Sequence, residues 1–198
     1  MTRNDTLRQT NAFAMLDGLL FGIYWCFGFL CAVKGVGGGG LSTLSMMVII
    51  SAPFLGCYFA RRFENQVRQD EPVGYGKAYL YSALLYLYAS IILALAAYAY
   101  FRWFDGGDFV SSYLALQSAP EMQQAMQQSG MRDFINNAVT QSGFNSLEEM
   151  LRSIGPTDIA ASLFNVNIFL GLLLSLPTAL IGKTRNSDIN QDNASIKP

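Results

Sequence analysis

The chain reads as an all-α integral membrane protein of four transmembrane helices, with a short amphipathic-helical extracytoplasmic insert between the third and fourth. Three observations predict this class. Residues 78–101, AYLYSALLYLYASIILALAAYAYF, carry no charge, proline or glycine, and at ~1.5 Å per residue they form a helix ~36 Å long, enough to cross a ~30 Å hydrocarbon core with some tilt. Three further apolar runs, at 12–33, 41–60 and 159–181, accompany it. Finally, 52% of the 198 residues are hydrophobic and only 14% charged, against about 25% charged in an average soluble domain. That is too little charge to cover a soluble surface of this size.

The first span follows a short N-terminal tail, 1–11, that contains Arg3 and Arg8. A basic start before an apolar run also suits a secretory signal, but this run exceeds the usual apolar core of one and no A-x-A-like site follows it. Within the span, Gly18 and Gly22 make a G-x-x-x-G pair, a candidate helix-packing site where another backbone approaches closely. The segment KGVGGGG, from Lys34 to Gly40, places its lysine before the glycines and follows a span rather than a strand. It therefore fits a turn and not a phosphate-binding loop, and no nucleotide is expected.

In the second span Ser42, Thr43, Ser45 and Ser51 have their own helix carbonyls as partners, and Pro53 marks a kink. Arg61 and Arg62 are expected to end it, and a polar segment with a Pro72-Val73-Gly74 break leads to the third span. That span closes on Arg102, Trp103 and Phe104, an interfacial aromatic anchor.

Residues 105–157 differ in kind. They are rich in Gln, Ser and Asn, and Ser-Gly at 129–130, Ser-Gly at 142–143 and Gly-Pro at 155–156 act as helix stops. Between the stops, apolar residues recur at helical spacing, and Ser146 with Glu149 forms a capping box. Three or four short amphipathic helices follow, each needing the membrane, its neighbours or a partner to cover its apolar face. Met122, Met126, Met131, Phe134, Leu147, Met150 and Leu151 form a candidate partner surface. Beyond the fourth span, 184–198 is polar without periodicity and is expected to be disordered. Residues 12–183 thus make a single membrane domain.

Lysine and arginine divide unevenly across four spans. The termini and the 61–77 loop share nine, and the other side holds four, namely Lys34, Arg102, Arg132 and Arg152. The positive-inside rule then puts both termini in the cytoplasm and 105–157 outside.

Several function classes lose their usual residues. Histidine is absent, so the commonest metal ligand and neutral-pH base is missing. Cys26, Cys31 and Cys57 lie in apolar runs without disulfide or zinc spacing. No basic cluster suits nucleic acid. Glu148 and Glu149 are adjacent on a helix and point ~100° apart, as a solvated face does. We therefore expect no catalytic, cofactor-binding or metal site, and a chain that is not an enzyme.

Asp17, five residues into the first span, is the polar position of interest. It lies either in the headgroup region, in a structural polar layer, or in a proton or ion relay; a carboxylate at this depth must face the bundle or reach water. Counting from the same side, Tyr79, Ser82 and Tyr86 of the third span and Ser175 and Thr178 of the fourth complete a candidate intramembrane polar layer. Lys77 or Arg61 is the expected counter-charge.

The order of parts is similar to that of the DUF4199 family: two early spans on a tight loop, YGKAYLYSALLYLYASIILALAAYAYFRWFD, the inserts EMQQAMQQSGMRDF and SLEEMLRSIG, then FLGLLLSLPTALIGK with Gly171, Ser175 and Leu176. The GVGGGG loop and Pro177 depart from its pattern. The resemblance implies a small four-span protein of Bacteroidota, sited in the bacterial inner membrane, without an established activity, and with a membrane-linked glycosyltransferase as a partner to consider. Together these readings lead us to expect a non-catalytic accessory subunit that contacts the lipid bilayer and another membrane or envelope protein, or a second copy of itself. A small oligomeric transporter or lipid-handling protein using Asp17 is the alternative.

Overall fold

The computed structural model describes residues 3–67 and 72–183. Their regular structure is all helix, with no strand among the described residues: α1 (Arg3–Lys34), α2 (Gly40–Val67), α3 (Tyr75–Trp103), α4 (Asp108–Ser118), α5 (Pro120–Gln128), α6 (Met131–Gln141), α7 (Leu147–Ser153) and α8 (Pro156–Ile181). Four of them, α1, α2, α3 and α8, are long and apolar enough to cross a membrane. The protein is thus an all-α, multi-pass membrane-type chain. The disorder expected for 184–198 falls outside the described residues.

Two boundaries differ from expectation. Helix α1 begins at Arg3 rather than at Ala12, so the tail from that point is helical. Thr10 and Ala14, one turn apart, are fully buried, and packing on that face carries the helix past the apolar run. Nor do Arg61 and Arg62 end α2, which continues to Val67. Phe63, Glu64 and Val67 are fully buried, and Phe63 meets Phe13 edge-on at 5.8 Å. An apolar stripe continued into a polar segment keeps a helix going where composition alone suggests a stop.

The chain divides into two compact units. The first takes α1 as far as Trp25, Ile50–Leu93, and α8 from Leu163. Its core is aromatic: Phe21 packs against Phe59 at 6.1 Å and against Tyr86 at 5.4 Å, and Phe63 stacks on Tyr81 at 4.1 Å. Tyr24 and Ser51 join α1 and α2 by a hydroxyl–hydroxyl hydrogen bond.

The second unit comprises Cys26–Ile49 and Ala94–Ser162. Its α1–α2 turn is tight where the sequence supplies glycine. A Cβ at Gly35 would stand 2.6 Å from both the Cys31 carbonyl oxygen and the Ser42 nitrogen, and Gly38 and Gly39 both have φ of 91°, which L side chains rarely adopt. Three breaks in the insert fall at the expected points, with Gly130 and Gly143 at φ of 68° and 79° and Pro156 opening α8; the break between α4 and α5, where Pro120 follows an extended Ala119, is not among those expected. Asp105, buried, starts α4 by accepting the N–H of Gly107 and of Phe109, both at 3.1 Å.

At α7 the capping box is half formed. The Glu149 N–H donates to Ser146 Oγ at 3.1 Å, while the Glu149 carboxylate accepts from the Asn145 N–H at 3.0 Å instead of from Ser146. Ser146→Ala is expected to cost about 1 kcal/mol of local stability. Faster hydrogen exchange across 147–153 with little change elsewhere is the expected readout.

Candidate functional site: a buried polar clamp

Asp17 is nearly fully buried in the first unit, and each of its carboxylate oxygens is hydrogen-bonded there. Its Oδ2 accepts from the Tyr81 hydroxyl at 2.6 Å and its Oδ1 from Arg62 Nη1 at 3.2 Å. Tyr81 also reaches the Phe59 carbonyl at 3.3 Å. Three helices therefore meet on one carboxylate: α1 through Asp17, α2 through Arg62 and Phe59, and α3 through Tyr81. Arg62 brings the compensating charge inward while its side chain stays 41% exposed, as a long basic side chain does at a boundary. Two residues along the same helix, Glu64 is fully buried, with Arg61 at 3.4 Å.

The counter-charge is thus Arg62, not Lys77 or Arg61, because Arg61 turns to Glu64 on its own helix. Tyr81, which sequence depth alone does not distinguish from Tyr79, is the α3 ligand. Tyr79 is half-buried and stacks on Tyr75 at 6.4 Å. Ser82, Tyr86, Ser175 and Thr178 are buried, but the hydrogen bonds of Asp17 go to Tyr81 and Arg62 and not to them. Ser175 donates to the Gly171 carbonyl and Thr178 to the Leu174 carbonyl, both at 2.7 Å along their own helix. The Ser82 hydroxyl has no hydrogen-bond partner among the described residues, while the Tyr86 hydroxyl faces Thr178 of α8.

Tyr86 instead serves as a wedge. A Cβ on Gly56 of α2 would stand 2.5 Å from its hydroxyl, and a Cβ on Gly171 of α8 would stand 2.5 Å from its own Cβ. Gly18 and Gly22 do the same for α1 against α3: a Cβ there would come within 2.6 Å of Tyr88 Cβ and 2.7 Å of Ile92 Cβ. Four glycines on three helices thus form the notches that seat α3, which is close packing of the kind small residues permit in membrane helices. The G-x-x-x-G spacing pointed to the first pair. Gly56 and Gly171 have no glycine at that spacing, but each stands in the looser small-xxx-small pattern, Ala52/Gly56/Ala60 and Gly171/Ser175, which is the signal that could have found them.

Of the candidate partner surface, Met122, Met126, Leu147, Met150 and Leu151 are half-buried among α4–α7, and Met126 and Leu147 share a small cavity with Ile135. Met131 and Phe134 on α6 are 48% and 70% exposed. Chemically, the clamp holds opposite charges at contact and closes their hydrogen bonds. Its acid and its cation neutralise one another, an arrangement that fixes helix rotation and depth. Among the described residues no group of His, Cys, Asp and Glu is placed to hold a metal ion.

Comparison with known proteins returns one family. The family described as "Protein of unknown function (DUF4199)" matches residues 16–184, which span every element named above except the start of α1. No curated protein and no solved structure matches the chain.

Proposed function

Because the chain belongs to the DUF4199 family, whose function is unknown, we propose that it is a non-catalytic accessory protein that holds another membrane or envelope protein through its α4–α7 insert. The carrying observation is Phe134, 70% exposed on a helix whose neighbours shield most of the other apolar side chains. Exposed aromatic and methionine side chains on a packed scaffold are the composition of an interface anchor. The buried carboxylates support the same reading, since Asp17 and Glu64 each have an arginine partner. The uneven split of lysine and arginine supports cytoplasmic termini, an extracytoplasmic insert and residence in the inner membrane.

A photo-crosslinking residue at Phe134, in full-length protein expressed in its native membrane, tests this. A discrete protein adduct is expected, one that fades when Met131→Asp is added. A membrane-linked glycosyltransferase is the first partner class to probe, and an adduct of two copies of this chain would mark self-association. Adducts to lipid alone would overturn the proposal.

A further inference from the structure

Within the second unit, where α1 and α3 end, Val33, Lys34, Tyr100, Asp108, Phe109 and Ser112 line a cavity of about 220 Å³. Tyr100 is only 7% exposed, and its buried hydroxyl finds no acceptor for its hydrogen among the described residues, the nearby Lys34 ammonium being a donor only. Its ring is held edge-on by Phe29 at 5.8 Å and Phe101 at 5.3 Å, so the phenol does not swing out to find a partner. A buried donor in that condition points to an acceptor brought from outside the chain. The ammonium of Lys34 lies over the same ring, 5.5 Å from its centroid.

Charge narrows the choice of ligand. The Asp105 carboxylate is occupied by two backbone N–H groups, and Arg152 is held by Glu148 at 2.9 Å. Lys34 and Asp108 remain, one of each sign and both exposed; they lie near enough to attract one another, and neither joins a contact ion pair among the described residues. A simple anion at Lys34 would be repelled by Asp108, whereas a ligand carrying both charges satisfies both residues. The setting fits such a ligand: α1 and α3 are spanning-type helices that end here, and the adjacent Trp103 and Phe104 are 68% and 73% exposed, as aromatic residues are at a membrane–water boundary.

We propose that this pocket binds a zwitterionic phosphodiester headgroup, its phosphate on Lys34 and the Tyr100 hydroxyl with Ser112 alongside, and its primary ammonium on Asp108. The chemistry is shared by a membrane phospholipid and by its free deacylated headgroup.

Native mass spectrometry of the full chain in mild detergent, titrated with phosphatidylethanolamine or phosphatidylglycerol, tests the site. The ethanolamine lipid is expected to bind about tenfold more tightly, the worth of one charge-assisted contact. Lys34→Gln and Tyr100→Phe are each expected to weaken it about five- to tenfold on the same scale, and Asp108→Asn to erase the preference between headgroups. Tyr100→Phe removes a hydroxyl that the chain meets only through the exposed Lys34 ammonium, so its thermal midpoint without lipid should stay close to the parent's, which separates lost binding from lost folding. Competition by glycerophosphoethanolamine at equal concentration would identify the free headgroup as ligand; its failure to compete would identify the lipid. Equal retention of both lipids, or affinity unchanged in both Lys34→Gln and Tyr100→Phe, would overturn the proposal.

Discussion

Replacing Asp17 by alanine is expected to destabilise the detergent-solubilised protein by about 1–3 kcal/mol, the cost of leaving the buried Tyr81 hydroxyl without its carboxylate. The Phe59 carbonyl, at 3.3 Å, persists as a weaker acceptor and moderates the loss. Release of Arg62 adds little, because a side chain 41% exposed already reaches solvent or headgroups. Tyr81→Phe leaves a buried carboxylate with the arginine alone and should cost about 1.5–3 kcal/mol. Since both substitutions break the same 2.6 Å bond, the double variant should cost clearly less than the two singles together. Thermal unfolding of the four proteins in one detergent measures this; strictly additive losses would show that the clamp is not a unit.

Asp17→Asn separates a clamp from a carrier. The amide oxygen still accepts from Tyr81 while Arg62, 41% exposed, is released to solvent, so a clamp keeps its α1–α3 bond and its fold, whereas a carrier that depends on ionisation of Asp17 loses ion flux across reconstituted vesicles with its fold intact. Flux in the parent that disappears in Asp17→Asn would replace the accessory reading with a transport one.

The second large effect is expected at the glycine notches. Gly18→Leu would drive a side chain into Tyr88, whose Cβ would be 2.6 Å from the new Cβ, with the Leu85 carbonyl oxygen only 3.1 Å away. Gly171→Leu would meet Tyr86 Cβ at 2.5 Å and Cγ at 2.9 Å. These neighbours are the roots of side chains or backbone, so relief requires the helices to separate, and each variant should lose about 1–3 kcal/mol or more. Gly76 supplies the contrast. It lies in the first turn of α3, where a Cβ would meet nothing within 4 Å, and Gly76→Ala should raise stability by up to about 1 kcal/mol through helix propensity. Opposite signs at Gly18 and Gly76 are the expected result in a thermal-shift assay. A neutral Gly18→Leu would mean that α1 and α3 are not in close contact.

What the sequence determined by itself was the class and the order of parts. Runs of apolar residues the length of a bilayer core mark four helices as candidate spans, because helices of that length and composition leave almost no charge to meet water. The insert was equally readable, since Gly130, Gly143 and Pro156 impose local backbone geometry that does not depend on packing. The composition and position of Asp17 marked it as a residue that must find partners. Tertiary structure alone decided which partners.

A spanning helix such as α3 is apolar around its whole circumference, so it lacks the polar stripe that tells which face of a soluble helix turns inward. Depth along the axis can be counted from the sequence, but rotation about the axis cannot. Tyr79 and Tyr81 lie at nearly the same depth, about 200° apart around the helix. Only the notches at Gly18, Gly22, Gly56 and Gly171 turn Tyr81 to Asp17 and leave Tyr79 to stack on Tyr75. The same reason hid Arg62 behind Arg61, and it hid Glu64 and the Tyr100 hydroxyl: each is a polar group whose meaning depends on what the packed neighbours leave within reach.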